Sequence, residues 1–560
     1  MINKDKICPV KNCLLFFLFL ISAAANAQIK TKPLVKSGLD RPKLVLGIVV
    51  DQMRYDFLYR YWSKYSEGGF KRMLREGFSF ENCNYSYYPT YTGPGHASIY
   101  TGTTPAMHGI VGNNWYEKAS NKKMYCTQDD SVTSIGGSEK EGKMSPKNMQ
   151  TYSVGDQIRL ATNFRGKSFG VSIKDRGSIL PAGHGADAAF WFDSESGNFI
   201  SSTWYKKLNG ELPKWLKAFN EKKEAEKYKS SVWNTLLPIE EYTESTADLA
   251  DYEAGIIQNQ NPVFPYDLKL SKENGYEIIR KTPFGNTLTA DVAKALVLGE
   301  NLGNDDFMDF LAVSFSCTDV VGHAYGPFAI ETEDTYLRLD RDLEAFFSFL
   351  DKQVGLNQYL VFLSADHGIL EVPAFLEKNG MPSQLFNQKK LVEKLKKFSI
   401  QNFDSLDLVK SFMNQQVYLD EALINLKNLD RKVIVNKFIQ FIEKQDLVTR
   451  AFAYQGDRPF PNVPFLEKYE AGYFKGKSGD IQVVVKPGSL DHGDKKGTSH
   501  GAPYSYDSHV PCLWMGWKIK HGESSQKIEI QDIAPTLSSL LKIMEPNGCT
   551  GSPQSIPLKK

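Results

Sequence analysis

The chain has 560 residues, 41% of them apolar and 12% aromatic, which marks a globular protein with a sizeable core and room for one large domain with insertions or two to three smaller ones. Its formal net charge is +2. Without the first 27 residues Lys+Arg falls from 67 to 64 and Asp+Glu from 65 to 64, so the remainder is neutral and neither nucleic acid nor an anionic membrane surface is expected as a main partner. Those 27 residues read as a signal peptide. Lys4, Lys6 and Lys11 form a basic region, Leu14 to Ala24 an apolar one, and Ala25-Asn26-Ala27 a small-residue cleavage site. The apolar run is shorter than the roughly 20 residues of a membrane span, so export to the periplasm with no membrane anchor is expected. Past the leader, Cys83, Cys126, Cys317, Cys512 and Cys549 remain, an odd number that excludes a disulfide-dense scaffold.

Leu44 to Val50 is a continuous apolar run ending at Asp51, the pattern of a strand buried on both faces of a parallel sheet. The segment Tyr91-Thr92-Gly93-Pro94-Gly95-His96 follows. Pro94 suits the first turn of a helix, and the flanking glycines allow close backbone approach to a ligand. A hydroxyl at Thr92 then stands at a helix N-terminus, where free N–H groups and the helix dipole favour an anion. Phe169 to Ile173 reads as another strand, continued by Lys174-Asp175-Arg176. Residues two apart on a strand share a face, so Lys174 and Arg176 are expected to reach one anion.

Residues 196–265, rich in Lys, Glu, Trp and Tyr, read as an insertion with a surface helix over Trp215 to Tyr228. Helical patterns cover Thr289 to Leu302 and Thr335 to Leu350, and strands Phe310 to Phe315 and Tyr359 to Leu363. Each of those strands is followed by metal-compatible residues, Asp319 and His323 after one and Asp366 and His367 after the other. Residues 372–482 read as a second insertion with amphipathic helices near Lys389 to Phe398 and Asp430 to Glu443. His500 lies beyond it in Gly497-Thr498-Ser499-His500-Gly501. Strands alternating with helices predict an α/β fold with a mainly parallel central sheet flanked by helices. Such folds collect functional residues at the C-terminal strand ends. Aspartate and neutral histidine donors suit Zn²⁺.

The motifs Val49-Val50-Asp51, Pro89-Thr90-Tyr91-Thr92-Gly93-Pro94-Gly95-His96, Gly112-Asn113-Asn114, Thr318-Asp319 with His323, Ala365-Asp366-His367-Gly368 and Ser499-His500-Gly501 together resemble the alkaline phosphatase superfamily. The branch is the one shared by nucleotide pyrophosphatase/phosphodiesterases and the phosphate-irrepressible alkaline phosphatases of Gram-negative bacteria. The resemblance runs over nearly all of residues 28–560 and implies one catalytic domain with the two insertions. It implies two Zn²⁺ ions, one held by Asp319, His323 and His500, the other by Asp51, Asp366, His367 and Thr92. Thr92 is then the nucleophile, carrying a phospho-threonine intermediate, and His96 and His108 are structural. The resemblance also implies that Asn113, Lys174 and Arg176 bind the phosphoryl group, with Lys174 standing where other members place a magnesium ion, so no Mg²⁺ is expected. Two cations favour a phosphate monoester over a diester, which carries less charge. Phosphodiesterase activity is the alternative. A sulfatase is disfavoured because the Thr92 segment lacks a C/S-x-P-x-R sequence. A cofactor-independent phosphoglycerate mutase conflicts with the leader and the threonine, and a purely metal-binding protein needs neither Thr92 nor the two cations.

Overall fold

Five fully buried parallel strands form the centre of the molecule: β1 (Leu44–Val50), β2 (Ser168–Ser172), β3 (Ala188–Asp193), β4 (Asp309–Phe315) and β5 (Tyr359–Ser364). They lie side by side in the order β5-β1-β4-β2-β3. Further strands, among them Cys512–Gly516 antiparallel to β5, extend the sheet to eleven strands. The computed structural model describes residues 40–454, 463–491 and 495–559, and Pro42–Lys560 form one compact unit. The expected leader lies outside the described residues. Burial on both faces explains why the central strands carry continuous apolar runs rather than alternation.

Three helices bring functional groups to the C-terminal edge of this sheet: α1 (Thr92–Thr101), α2 (Asp175–Ala182) and α3 (Cys317–Tyr325). The expected strands at Leu44, Phe310 and Tyr359 are present within a residue of their predicted ends. Two local expectations need correction. The apolar run at Phe169 does not continue as a strand through Arg176. The Ser172 hydroxyl accepts the Lys174 N–H at 3.1 Å and turns the chain, so Lys174 caps α2 and Arg176 lies in its first turn. The helix over Trp215 to Tyr228 is two helices, Lys214–Glu221 and Glu224–Lys229, broken where Lys223 adopts a left-handed φ of 53°.

Residues 386–485 carry a second, smaller core of side chains such as Leu395, Phe438, Ile442 and Ile481. A four-stranded antiparallel sheet lines it, in the order Val409–Met413, Gln416–Leu419, Ile481–Val485, Val448–Ala453. The helices Gln388–Asn402 and Arg431–Ile442 cover it, the second capped by the Asp430 carboxylate. No cysteine among the described residues is paired, and four of the five are buried.

Candidate metal and phosphoryl-transfer site

Asp51, the α3 pair Asp319 and His323, Asp366, His367 and Lys174 converge beyond the C-terminal ends of β1, β4, β5 and β2. His500 arrives on the loop that follows the smaller core. His367 Nε2 lies 3.5 Å from Asp51 Oδ1 and 3.6 Å from Asp366 Oδ2. All three atoms are buried and have no hydrogen-bond partner. Asp319 Oδ1 lies 3.2 Å from His323 Nε2 and 3.5 Å from His500 Nε2. Ligand atoms of Asp319, His323 and His500 form one group within metal-binding distance, and those of Asp51, Asp319 and His367 form a second. Asp319 thus faces both groups, and Asp366 borders the second through its contact with His367.

The three histidines share one tautomer. Each Nδ1 meets a backbone carbonyl, of Thr498 for His323 at 2.8 Å, of Gly368 for His367 at 3.0 Å and of Thr90 for His500 at 2.7 Å. A carbonyl accepts only, so each Nδ1 carries a proton and each Nε2 is the nitrogen turned to the site, the one that ligates a metal once it is unprotonated. The rings of His367 and His500 stack with centroids 3.4 Å apart. Burial lowers the pKa of His367, and burial with His367 as neighbour lowers that of His500 well below the ordinary value, so both rings are neutral. Burial acts the same way on His323, but the Asp319 carboxylate outweighs it and raises its pKa.

Three carboxylates are buried here against one lysine. Lys174 Nζ donates to Asp51 Oδ2 at 2.8 Å and to Asp319 Oδ2 at 2.5 Å. Burial, and then the neighbouring Asp366, push the Asp51 carboxyl well above its usual value despite Lys174. Burial opposes ionisation of Asp319 too, but His323 and Lys174 hold it well below the carboxylate range. Buried negative charge in excess of its partners is costly, and a divalent cation in reach of the lone pairs would neutralise it. The donor set therefore fits metal ions.

Thr92 opens α1 and is 1% exposed. His96 fixes its turn to the sheet, with Nδ1 2.9 Å from the Thr92 carbonyl and 3.3 Å from Asp366 Oδ2 and Nε2 2.7 Å from Ser314 Oγ. Gly95 is needed for this seat, since a Cβ there would meet the Asp366 carbonyl oxygen at 2.4 Å. The Gly93 N–H, expected to be free for an anion, donates to Asn113 Oδ1 at 2.7 Å. That bond fixes the amide with Oδ1 toward α1 and Nδ2 on its other side. Arg176 donates from Nη1 to the Tyr125 hydroxyl at 2.9 Å, and its Nε is buried without a partner. Tyr125 in turn donates to Asp175 at 2.8 Å. Lys174 and Arg176 thus occupy one helix N-terminus, Lys174 turned to the carboxylates and Arg176 toward Tyr125. His108 lies away from these groups, its Nε2 3.0 Å from Ser98 Oγ.

Two functional residues escape sequence reasoning. Gln52 takes a left-handed φ of 67°. Its N–H donates to Asp366 Oδ1 at 3.0 Å and its Nε2 to Asp319 Oδ1 at 2.7 Å, so it ties two strand ends together. Its place directly after Asp51 is the only local signal. Asp507 accepts the N–H groups of Gly501 at 2.9 Å and Ala502 at 2.7 Å and so fixes the His500 loop. Nothing near it in sequence marks that role.

Residues 45–507 match the family described as type I phosphodiesterase / nucleotide pyrophosphatase. The chain is 47% identical over 524 residues to alkaline phosphatase PafA of Elizabethkingia meningoseptica, covering 92% of this chain and 94% of that protein. It is 46% identical to a protein of Myroides odoratus named calcium-transporting ATPase, over 93% of this chain and 95% of that one. It is 44% identical to alkaline phosphatase PhoV of Synechococcus elongatus, over 95% and 96%. The crystal structure of wild-type PafA matches with a TM-score of 0.87 at 47% identity, covering 92% of this chain and 98% of that one. The chain belongs to the type I phosphodiesterase / nucleotide pyrophosphatase family, on the mixed α/β fold that the sequence predicts.

Proposed function

We propose that this protein is an alkaline phosphatase, an exported phosphomonoesterase that hydrolyses small phosphate monoesters to alcohol and inorganic phosphate with two Zn²⁺ ions. The observation that carries this reading is the set of buried, partnerless ligand atoms gathered under the α1 N-terminus that begins with Thr92. Two relatives at 44–47% identity bear the name alkaline phosphatase. Asp319, His323 and His500 would hold one zinc, and Asp51, Asp366, His367 and Thr92 the other. Bound there, the metals supply Lewis acidity that lowers the pKa of a hydroxyl and offsets developing negative charge.

The chain's own residues do the rest. Thr92 Oγ1 gives up its proton to solvent and attacks phosphorus; the P–O bond to the alcohol breaks and the departing oxygen takes a proton from water, leaving a phospho-threonine that water hydrolyses to free Thr92 and phosphate. Asn113 Nδ2 donates to a non-bridging oxygen. Arg176, held by Tyr125, adds a charge-assisted contact worth about 1.5–3 kcal/mol. Lys174 stands between Asp51 and Asp319 as a fixed positive charge beside the phosphoryl position, in the role that a magnesium ion would otherwise fill. No helix among the described residues is long and apolar enough to cross a membrane, and export rests on the basic, apolar and A-x-A pattern of residues 1–27.

The test compares kcat/KM for an aryl phosphate and its methyl diester before chelation, after it, and after return of Zn²⁺ or Mg²⁺. Chelation is expected to abolish turnover, Zn²⁺ to restore it better than Mg²⁺, and the monoester to be preferred. Full activity in metal-free protein, or preference for the diester, would overturn the corresponding part of the reading.

A further inference from the structure

A hairpin tip of the smaller core reaches the site. Strands Val409–Met413 and Gln416–Leu419 are joined by Asn414 and Gln415, both at positive φ, 54° and 55°. This is the backbone of a tight two-residue hairpin turn, which Asn favours. The tip lies on the segment that carries Asn113. Asn414 Nδ2 donates to the Asn114 carbonyl at 2.9 Å, and the Tyr88 hydroxyl donates to the Asn414 carbonyl at 3.1 Å. A Cβ at Gly112 would lie 2.5 Å from Asn414 Nδ2, so the glycine makes room for that amide. Asn113 is therefore flanked on both sides by contacts to one side chain. Its own Oδ1 is fixed to the nucleophile helix at Gly93, and its carbonyl accepts the Cys126 N–H at 3.0 Å. Further contacts along the same segment come from the same core: Lys477 Nζ to the Gly109 carbonyl at 2.7 Å, Tyr418 edge-on to Tyr116, and Asp480 with Lys118 at 2.9 Å.

We infer that Asn414 is a positioning residue for Asn113, through which the inserted core sets the placement of the amide that binds the phosphoryl group. The inference rests on the reading of Asn113 as a phosphoryl ligand. A tip that only fastened the insertion to the body would contact any part of the surface. This one closes on the two residues either side of Asn113, and the amide beyond them has a single remaining donor group to aim.

The experiment is a double-mutant cycle on the zinc-loaded full chain, with an aryl phosphate as substrate. Asn414→Gly keeps the positive-φ turn and deletes the side chain, and Asn414→Asp keeps the shape and removes the donor. Each is expected to lower kcat/KM by about two- to tenfold, the span of one net neutral hydrogen bond, with the thermal midpoint unchanged. In an Asn113→Ala background the same substitutions are expected to have no further effect, because contacting residues in one network are not additive. A loss of equal size in both backgrounds, or no loss in either, overturns the inference while the role of Asn113 stands. An Asn113→Ala variant with undiminished kcat/KM overturns the reading of Asn113 and the inference with it. If Asn414→Gly disturbs the turn, as a fall in thermal midpoint would report, Asn414→Asp decides the outcome.

Discussion

Gly95→Ala isolates the seat of the nucleophile from its chemistry. The three atoms nearest to the added methyl include neither Thr92 Oγ1 nor a ligand atom. Its Cβ would stand 2.4 Å from the Asp366 carbonyl oxygen, 2.6 Å from Asp366 Cβ and 2.9 Å from Asp366 Cα. Ordinary contact begins at 3.4 Å, so α1 and the end of β5 must part by about 1 Å, and the obstructing atoms are largely backbone. Overpacking of this kind costs about 1–3 kcal/mol of stability, which a chain with so large a core survives. The catalytic consequence is greater, because a misplacement of about 1 Å costs on the order of 100-fold in rate, about 2.7 kcal/mol in the barrier. The His96 bridge from the Thr92 carbonyl to Asp366 is strained by the same movement. The assay is kcat for an aryl phosphate on the zinc-loaded variant, with metal content and far-UV circular dichroism as controls. Folded protein with kcat near one-hundredth of wild type is expected. A folded Gly95→Ala variant with wild-type kcat would refute the claim that α1 is held in register by this contact.

Thr92→Ala is expected to lose nearly all turnover while retaining metal, and Thr92→Ser to keep a substantial part; acid quenching during turnover should label Thr92 and no other residue. Removing both Lys174 and Arg176 is expected to depress monoester kcat/KM far more than diester kcat/KM, and equal loss of both would assign the pair to the fold or the metal groups. Because Lys174 bonds to Asp51 and Asp319, Lys174→Ala alone should also change divalent-metal affinity, measured by titration of the chelated protein, whereas Arg176→Ala should not. Burial, then the Lys477 charge, hold the His108 imidazole down at about 3. The unfolded chain takes up that proton below about pH 6.5 and the native state does not, so native stability should decline between about pH 6.5 and 3, by up to about 1.4 kcal/mol per unit. His108→Gln should flatten that slope in urea unfolding relative to wild type, and parallel slopes would show that His108 is not the group responsible.

The local chemistry of the chain is written in consecutive residues. Leu44–Val50 forms the strand its apolar run predicts because nothing but burial on both faces suits seven apolar residues in a row. Asp51, Asp319, Asp366 and His367 stand at strand ends because the run that makes each strand also sets where it stops. The Thr92 segment begins a helix after an extended Tyr91, with Pro94 in its first turn, and all seven metal-ligand candidates lie in short motifs of the sequence. Local chemistry also decided one point the apolar pattern concealed. Lys174 and Arg176 continue an apolar run, yet the Ser172 hydroxyl captures the Lys174 N–H and begins a helix. A short side-chain-to-backbone bond competes with strand extension without changing hydropathy.

Tertiary structure alone decided the partners. Lys174 meets Asp51 and Asp319 across 123 and 145 residues, Gln52 meets Asp366 across 314, and Asn414 meets Asn114 across 300. No periodicity or composition encodes such pairings, because they depend on the order β5-β1-β4-β2-β3 in which the strands lie, and on where the smaller core folds back. The shared histidine tautomer has the same origin, since His323 and His500 find their backbone carbonyls 175 and 410 residues away. The sequence by itself determined which candidate donors and which candidate nucleophile stand in this chain. The packing of the sheet determined which lone pairs face one another, because a ligand set is a matter of distance and orientation, and both are fixed only when the strands assemble.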